Sequence, residues 1–221
     1  MELTIHLTEH TSKIYIEKDS RLHLKDYMDM DCKIMIITDD GVPEKYRNEI
    51  LQQCKKGYLF VARQGEETKS FAVYQKIIDR LLELDFSRKD MIIALGGGVI
   101  GDLSGFVAAT FKRGMRYSSI PTTTLSQIDS SIGGKTAVNV GKVKNVAGTF
   151  YHPEVVLIDI HTLETLPERH FNNGLVEAVK AGMIADEQLF SLFENAEDIK
   201  ENLEEIIIRA LKVKKSVVKM H

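Results

Sequence analysis

The stretch over residues 91–111 constrains the fold of this chain more than any other. It begins with the apolar run MIIAL, which is short and rich in β-branched residues, as buried strands are. Gly96, Gly97 and Gly98 follow, and an apolar-periodic segment over 99–111 predicts a helix. Backbone N–H groups at the start of such a helix attract an anion, and glycines let it come close. The stretch therefore predicts a phosphate-binding turn between a strand and a helix.

Gly96, Gly98 and Gly101 also match the G-x-G-x-x-G spacing of dinucleotide sites. The next strand-like run ends in Pro121-Thr122-Thr123 and supplies no acid for a ribose, so the common Rossmann arrangement is not indicated. Asp39 follows an earlier buried strand at the same sheet edge, where it either contacts a cofactor or caps the next helix. The glycines favour a nucleotide, and a plain tight turn is the alternative.

Strands and helices alternate through the first 160 residues. We predict strands over 2–8, 13–16, 33–38, 57–62, 91–95, 116–120 and 155–159, and helices over 21–27, 43–54, 70–84 and 99–111. This order indicates an α/β fold with a largely parallel sheet and helices on both faces. After Pro167 the sequence is typical of helix alone. We therefore predict an α/β domain over 1–160 and the beginning of an all-helical domain over 161–221.

Bulk composition narrows the classes of function. The net charge is -3, from 29 basic and 32 acidic residues mixed along the chain, which gives no reason to expect nucleic acid or an anionic membrane as partner. Cys32 and Cys54 have neither metal-binding nor redox spacing, and we expect buried thiols. Without a leader-like start or an apolar run of membrane length, the sequence predicts a cytoplasmic protein.

A second polar motif, DSSIGGKTAVN over residues 129–139, combines an acid, hydroxyls, glycines and a lysine. Its glycine content predicts a loop without regular structure. Lys142, Lys144 and Asn145 follow it, and Arg113 precedes it. Such a cluster suits a substrate that carries phosphate or carboxylate, with the acid holding hydroxyls. The alternative is a solvated loop with ordinary surface lysines.

These motifs together resemble one family. GGGVIGD, the Pro-Thr-Thr-Thr-Leu run, DSSIGGKTAVN, the Lys144-Asn145 pair and LPERHFNNGLVEAVKAG are similar to the motifs of the 3-dehydroquinate synthases, in the sugar phosphate cyclase superfamily. The resemblance covers about residues 38–180. It implies a Rossmann-like NAD domain followed by a helical metal- and substrate-binding domain. The resemblance implies the activity of a carbon–oxygen lyase that converts 3-deoxy-D-arabino-heptulosonate 7-phosphate to 3-dehydroquinate and phosphate. This reaction belongs to the shikimate pathway, which makes aromatic amino acids.

The resemblance also implies cofactors and site residues. The cofactors are NAD, which is regenerated in each turnover, and a divalent metal, zinc or cobalt; the expected assembly is a homodimer. The implied cofactor-binding residues are Asp39, Gln64, Gly65, Glu66, Lys69, Gly97, Gly98, Val99, Ile100, Gly101, Asp102, Thr122, Thr123, Leu125, Lys135, Lys144, Thr162, Leu163, Glu164 and Thr165. The implied catalytic residues are Arg113, Asp129, Lys135, Lys144, Asn145 and Lys180, and the implied metal ligand is Glu177.

By spacing alone, several of these residues have plainer interpretations. Glu66 and Lys69 could be a helix-start acid and a solvated lysine, and Glu177 and Lys180 could be a surface ion pair. The chain departs from the family at Gly41, where an asparagine is common.

The end of the sequence leaves several interpretations open. The family's two further metal ligands are histidines in an L-N-x-G-H-T-x-G-H motif, which none of the seven histidines here matches. The last predicted helix, from residue 199 onward, has a broad apolar face that we expect to be exposed. We therefore interpret the chain as the N-terminal part of a longer enzyme. The alternatives are another sugar phosphate cyclase, a metal-dependent polyol dehydrogenase, or a catalytically inactive NAD-binding fragment.

Overall fold

The computed structural model describes residues 1–6 and 11–218. The strands are β1 Glu2–His6, β2 Thr11–Ile16, β3 Lys33–Asp39, β4 Lys56–Ala62, β5 Met91–Gly96, β6 Arg116–Pro121, β7 Lys135–Val140, β8 Val143–Phe150 and β9 Val155–Ile158. The helices are α1 Glu44–Leu51, α2 Phe71–Glu83, α3 Gly98–Thr110, α4 Glu168–Ala185, α5 Glu187–Asn195 and α6 Leu203–Val218.

Seven strands form one sheet in the order β1-β2-β9-β6-β5-β3-β4. Every neighbouring pair is parallel except β1 with β2, which is antiparallel. The predicted α/β class with a largely parallel sheet is therefore confirmed. Because β3, β5, β6 and β9 run in one direction, their carboxyl ends meet at one edge of the sheet. That edge carries the glycine turn.

Helices cover both faces of the sheet, as predicted. On one face α2 and α3 bury Ile77, Leu103 and Val107 against β3 and β5. On the other face α1 buries Tyr46 and Ile50 in a second cluster. The central strand β5 is buried along its whole length, and its residues are apolar on both faces of the sheet.

The helices after residue 167 pack against the part of the sheet that β2 and β9 form. One apolar cluster joins Ile14 of β2 and Ile158 of β9 to Phe171, Leu175 and Ile206 of the helices. These helices therefore share a core with the sheet. The division of the chain at residue 160 stays a prediction.

The expectation that the last helix exposes its apolar face is wrong. Leu203, Ile206, Ile207, Ala210 and Leu211 are all buried. They pack with Ile128, just before the second polar motif, with Ile132 inside it, and with β2 and β9. The apolar stripe that is exposed lies on α4 instead, at Val176, Met183 and Ile184.

Two other predicted elements differ from the structure. The helix predicted over 21–27 is wrong: two 3₁₀ turns, Ser20–Leu22 and Leu24–Asp26, take its place because His23 between them has non-helical dihedrals. The strand predicted over 2–8 is present as β1 up to His6. Its last two predicted residues lie outside the described part of the chain. Cys32 and Cys54 are free thiols, half-buried rather than buried.

The prediction of an irregular loop over 129–139 is also wrong. Residues Lys135–Val140 form β7, which pairs antiparallel with β8, and Val138 is fully buried. The glycines are confined to the turn before the strand, where Gly133 and Gly134 have φ of 105° and 67°. After them the sequence KTAVNV buries Thr136, Ala137 and Val138 in succession, so its pairing with β8, and not an alternating pattern, identifies it as a strand. The polar motif thus forms a turn and a hairpin that lies against α3.

Candidate active site

The glycine turn joins β5 to the first turn of α3 at the carboxyl edge of the sheet. A Cβ on Gly97 would lie 3.1 Å from the Thr123 side chain, and one on Gly98 would lie 3.1 Å from Ser130 Oγ. Side chains at these positions would fill the space in front of the helix. The hydroxyl oxygens of Ser130 and Ser131 nearby are buried without a hydrogen-bond partner among the described residues. A helix N-terminus with free donors beside it fits a phosphate group.

Lys69 connects this turn to the hairpin. Its ammonium group donates to the carboxylate of Asp102, in α3, and to the side-chain oxygen of Asn145, in β8. Lys69 is buried, so the interpretation as a solvated lysine is wrong. Burial raises the pKa of Asp102, although the Lys69 ammonium partly opposes that rise. The structure thus brings together three residues that the resemblance assigns to one site.

Asn139 ties the same segments from the other side. Its side-chain nitrogen donates to Glu66 Oε1 at 2.8 Å, and its side-chain oxygen accepts from the Asn145 backbone at 2.8 Å. Lys144 Nζ lies 4.0 Å from the same Glu66 oxygen. Sequence reasoning did not select Asn139 as a site residue. The one signal for it is that it ends the DSSIGGKTAVN motif.

A cavity of about 430 Å³ opens between the hairpin and the helices. Asp129, Lys135, Asn145 and Lys214 line it, together with Asp102. Lys214 Nζ lies 2.6 Å from Asp129 Oδ1. Sequence reasoning also missed Lys214, for which the signal is a lysine in the otherwise apolar stripe of the last helix. Two lysines and two carboxylates in one cavity can bind a substrate that carries both anionic groups and hydroxyls.

Glu177 and Lys180 lie on one face of α4, as predicted, with Lys180 Nζ 3.0 Å from Glu177 Oε2. The hydrogen bond to Glu177 raises the pKa of Lys180, and the charge of Asp129 contributes to that rise. Lys180 is exposed and Glu177 is half-buried, and neither is among the residues that line the cavity. A catalytic metal site needs about three protein ligands. Glu177 is the one ligand that the resemblance implies at this position, so the described residues do not complete a metal site there.

Three metal-type side chains do meet elsewhere in the described residues, namely Asp19, Asp159 and His161. Arg21 occupies this cluster, because its Nη1 lies 2.7 Å from Asp159 Oδ2 and 3.0 Å from Asp19 Oδ1. A guanidinium already neutralises the carboxylates, so the cluster does not fit a cation.

Asp39 ends β3 at the same sheet edge as the glycine turn. Its Oδ1 accepts the backbone N–H of Gly41 at 2.9 Å, and burial raises its pKa. The carboxylate thus shapes the turn after the strand. A Cβ on Gly41 would lie 2.4 Å from the Gln64 side chain. Gln64, one of the implied cofactor residues, therefore fills the space that an asparagine at position 41 would take.

The remaining implied cofactor residues lie in segments at this edge. Thr122, Thr123 and Leu125 follow β6, and Thr162, Leu163, Glu164 and Thr165 follow β9. Gly65, Val99, Ile100 and Gly101 belong to the turns before α2 and at the start of α3. Ile100 and Leu163 are buried, so their side chains anchor these segments in the core.

Arg113 is an implied catalytic residue that the structure does not bring to the cavity. It lies in the 3₁₀ turn at the far end of α3, with φ of 65°. A helix of this length separates its two ends by about 18 Å. Its assignment stays a prediction.

Within residues 1–6 and 11–218, no helix combines the length and apolar character needed to cross a membrane.

Solved structures with this architecture define a class. A structure of 2-deoxy-scyllo-inosose synthase complexed with carbaglucose-6-phosphate, NAD⁺ and Co²⁺ matches with a TM-score of 0.89 and 27% identity, over 99% of this chain and 63% of that one. The 2-epi-5-epi-valiolone synthase ValA from Streptomyces hygroscopicus subsp. jinggangensis 5008, with NAD⁺ and Zn²⁺ bound, matches with a TM-score of 0.80 and 29% identity, over 97% and 61%. The fold is that of the sugar phosphate cyclases.

Sequence comparison gives the family within that class. The family model for the N-terminal region of 3-dehydroquinate synthase matches residues 59–173, about half of the chain. The 3-dehydroquinate synthase of Clostridium perfringens (strain 13 / Type A) is 54% identical over 157 residues, which are 70% of this chain and 45% of that protein. The chain belongs to the 3-dehydroquinate synthase family. It spans less than two thirds of the length of these relatives.

Proposed function

We propose that this chain forms the NAD-binding part, and much of the substrate-binding part, of a 3-dehydroquinate synthase. The observation that carries the proposal is the Lys69 junction. One buried ammonium joins Asp102, behind the glycine turn, to Asn145, which lines the cavity with Asp129 and Lys135. A cofactor on the turn and a substrate in the cavity would therefore be held by one connected set of side chains.

NAD fits the glycine turn. The N-terminus of α3 and the unpaired hydroxyls of Ser130 and Ser131 would hold its phosphates. Asp39, Glu66 and the segments 122–125 and 162–165 would contact the rest of the molecule. When bound, NAD would supply reversible hydride transfer with no net redox change.

The cavity suits 3-deoxy-D-arabino-heptulosonate 7-phosphate, which carries a phosphate, a carboxylate and several hydroxyls. Lys135 and Lys214, which line the cavity, would bind the two anionic groups together with Lys144 and Lys180, and Asp129 would accept hydrogen bonds from ring hydroxyls. Holding the phosphate in a fixed position favours its departure as the leaving group. We propose Asn145 as a further hydroxyl contact.

Glu177 would be one ligand of a divalent metal, zinc or cobalt. One carboxylate does not make a catalytic metal site. We also propose that the chain divides near residue 160 into cofactor and helical domains, and that it assembles as a homodimer.

The test is to titrate the chain with NAD and then to follow phosphate release from the heptulosonate phosphate. Binding of NAD and release of phosphate without accumulation of NADH would support the synthase. Stoichiometric NADH formation from glycerol would indicate a polyol dehydrogenase instead. Binding of NAD with no phosphate release would indicate an inactive binding module, and failure to bind NAD would overturn the proposal.

A second candidate is another sugar phosphate cyclase, which the TM-score of 0.89 to 2-deoxy-scyllo-inosose synthase favours. Such an enzyme would keep the NAD site and differ in the cavity. Competition between carbaglucose-6-phosphate and the heptulosonate phosphate, each measured for binding to the NAD-loaded chain, would separate the two candidates. Preference for carbaglucose-6-phosphate would support this second one.

A further inference from the structure

Gln127 is a fully buried residue in the π-helical turn Ser126–Ser130. Its side-chain nitrogen lies 3.1 Å from the carbonyl oxygen of Pro121, 3.0 Å from that of Asp159 and 3.0 Å from Thr162 Oγ1. Two carbonyl acceptors on one side fix the orientation of the amide, because only its NH₂ group can donate to them. The residue therefore ties the end of β6 to the segment that follows β9.

The sheet itself provides no connection between these two segments. The neighbouring strands β6 and β9 are paired only at Ser118 with Val155 and at Ser119 with Val156. Beyond that register, no strand pairing joins the described residues at the carboxyl ends of β6 and β9. The Gln127 amide fills this gap, from Pro121 at the end of β6 to Asp159 just after β9.

Each strand end leads directly into a segment of the proposed NAD site. Thr122, Thr123 and Leu125 follow Pro121, and Thr162–Thr165 follow Asp159. We propose that Gln127 is a positioning residue that fixes the separation of these two segments and so prepares the site for NAD. This inference rests on the proposed function, since it concerns the cofactor of that same site.

The physical effect of losing the amide is a change in population. Without it, the Pro121 carbonyl group loses this donor, and the Asp159 carbonyl group keeps those of Thr162, its backbone N–H at 3.1 Å and its hydroxyl at 2.7 Å. States in which the two segments separate therefore become more populated. NAD would bind the closed arrangement only, so its apparent dissociation constant rises by the inverse of the closed fraction. The expected weakening is about tenfold, the equivalent of one buried hydrogen bond to each segment.

The test compares Gln127→Met with Gln53→Met in the full chain. Gln53 is a matched control, since its side-chain nitrogen also donates to two carbonyl groups, those of Arg21 and Glu49, on the α1 side of the sheet. Both variants should lower thermal stability. Only Gln127→Met should weaken NAD binding and speed amide hydrogen exchange over residues 160–166 in the chain without NAD.

Gln127→Glu adds a readout that a general loss of packing would not change. A carboxylate faces the two carbonyl groups unfavourably, whereas the protonated acid can donate one hydrogen bond. Because burial raises the pKa of a carboxyl group, NAD affinity should recover as the pH falls from about 8 to 5. The wild-type chain, titrated over the same range, corrects for Asp159, Arg21 and His161 beside the tied segments.

The outcomes separate the two claims. If the wild-type chain binds NAD and both methionine variants bind it equally well, the positioning role is overturned while the proposed function stands. Unchanged hydrogen exchange over 160–166 in Gln127→Met also overturns it. If the wild-type chain binds no NAD, the proposed function and the positioning role fail together.

Discussion

Arg21 and Asp159 form a buried ion pair, with Nη1 and Oδ2 2.7 Å apart, although the two residues are 138 positions apart in sequence. The Asp159 side chain is fully buried, and that of Arg21 is 6% exposed. The carboxylates raise the pKa of Arg21 despite its burial, and the guanidinium also lies over the ring of Tyr46. The pair fixes the 3₁₀ turn after β2 to the end of β9.

Replacing Arg21 by methionine should lower the free energy of unfolding by about 3–5 kcal/mol, because it leaves the Asp159 carboxylate buried without a cation. Urea denaturation measures the change. Arg80→Met is the control: Arg80 pairs with Glu83 on the surface, and its loss should cost under about 1 kcal/mol. Equal losses in the two variants would contradict the buried pair as described.

Replacing Lys214 by methionine should affect ligand binding more than stability. Lys214 and Asp129 are both about one-third exposed, so their pair contributes about 1 kcal/mol or less to folding. The cavity loses one of its cations, and binding of the heptulosonate phosphate to the NAD-loaded chain should weaken by about tenfold. Lys212→Met, on an exposed position of the same helix, should leave both quantities unchanged. A ligand affinity equal to wild type would remove Lys214 from the site.

Gly174 allows α4 to rest on the backbone of the Thr124–Leu125 segment. A Cβ there would lie 2.4 Å from the Leu125 backbone nitrogen and 2.4 Å from Thr124 Cβ. Gly174→Ala should therefore lower the free energy of unfolding by about 1–3 kcal/mol, although alanine favours helix. Asn172→Ala, exposed in the same helix, should be neutral or slightly stabilising. Calorimetric unfolding of the two variants measures both changes. A Gly174→Ala variant that is more stable than wild type would show that α4 does not approach the Thr124–Leu125 backbone this closely.

Asp186 gives a prediction on pH. Burial opposes its ionisation, but hydrogen bonds from the Leu189 N–H at 2.9 Å and from Arg209 outweigh burial and lower its pKa below 3.8. A lowered folded pKa means that the stabilisation is complete above 3.8 and is lost as the pH falls through the folded value.

Asp186→Ala should cost about 1–2 kcal/mol at pH 7, because α5 loses its N-cap, and the cost should shrink below pH 3.8. Asp186→Asn keeps a capping side chain without the charge. Its smaller cost would separate the cap from the ion pair. Urea denaturation of all three proteins from pH 7 to pH 3 measures both, and a cost that grows with acidity would contradict the assignment.

Local patterns predicted the elements that form the sheet and its helices. The buried runs that became β3 and β5 are short, β-branched and bounded by turn residues, so their structure depends little on the rest of the chain. Composition does not predict the hairpin β7–β8, because the glycines that indicate a loop for the whole motif occupy only its first turn. β7 is stabilised as a strand by its pairing with β8, which the sequence of β7 alone does not indicate.

Residues whose role depends on long-range contacts could not be predicted in the same way. Lys214 reaches Asp129 only because the apolar face of α6 is buried on the turn that carries Asp129. Asn139 and Gln127 act through single amide groups with partners up to 73 residues away. Nothing in the local sequence around an amide indicates which carbonyl groups it will meet.

The place of β2 in the sheet sets an order of events during synthesis. β2 pairs with β9, and Ser12 donates to the carbonyl oxygen of Pro153, 141 residues later in the chain. At about 5–20 residues per second, the ribosome needs roughly 7–28 s to deliver that partner after β2 has been made. For this interval β2 lacks its partner in the sheet, and its unpaired edge remains open to other chains. The amino-terminal strands therefore join the sheet only after β9 has been made, although they are translated first.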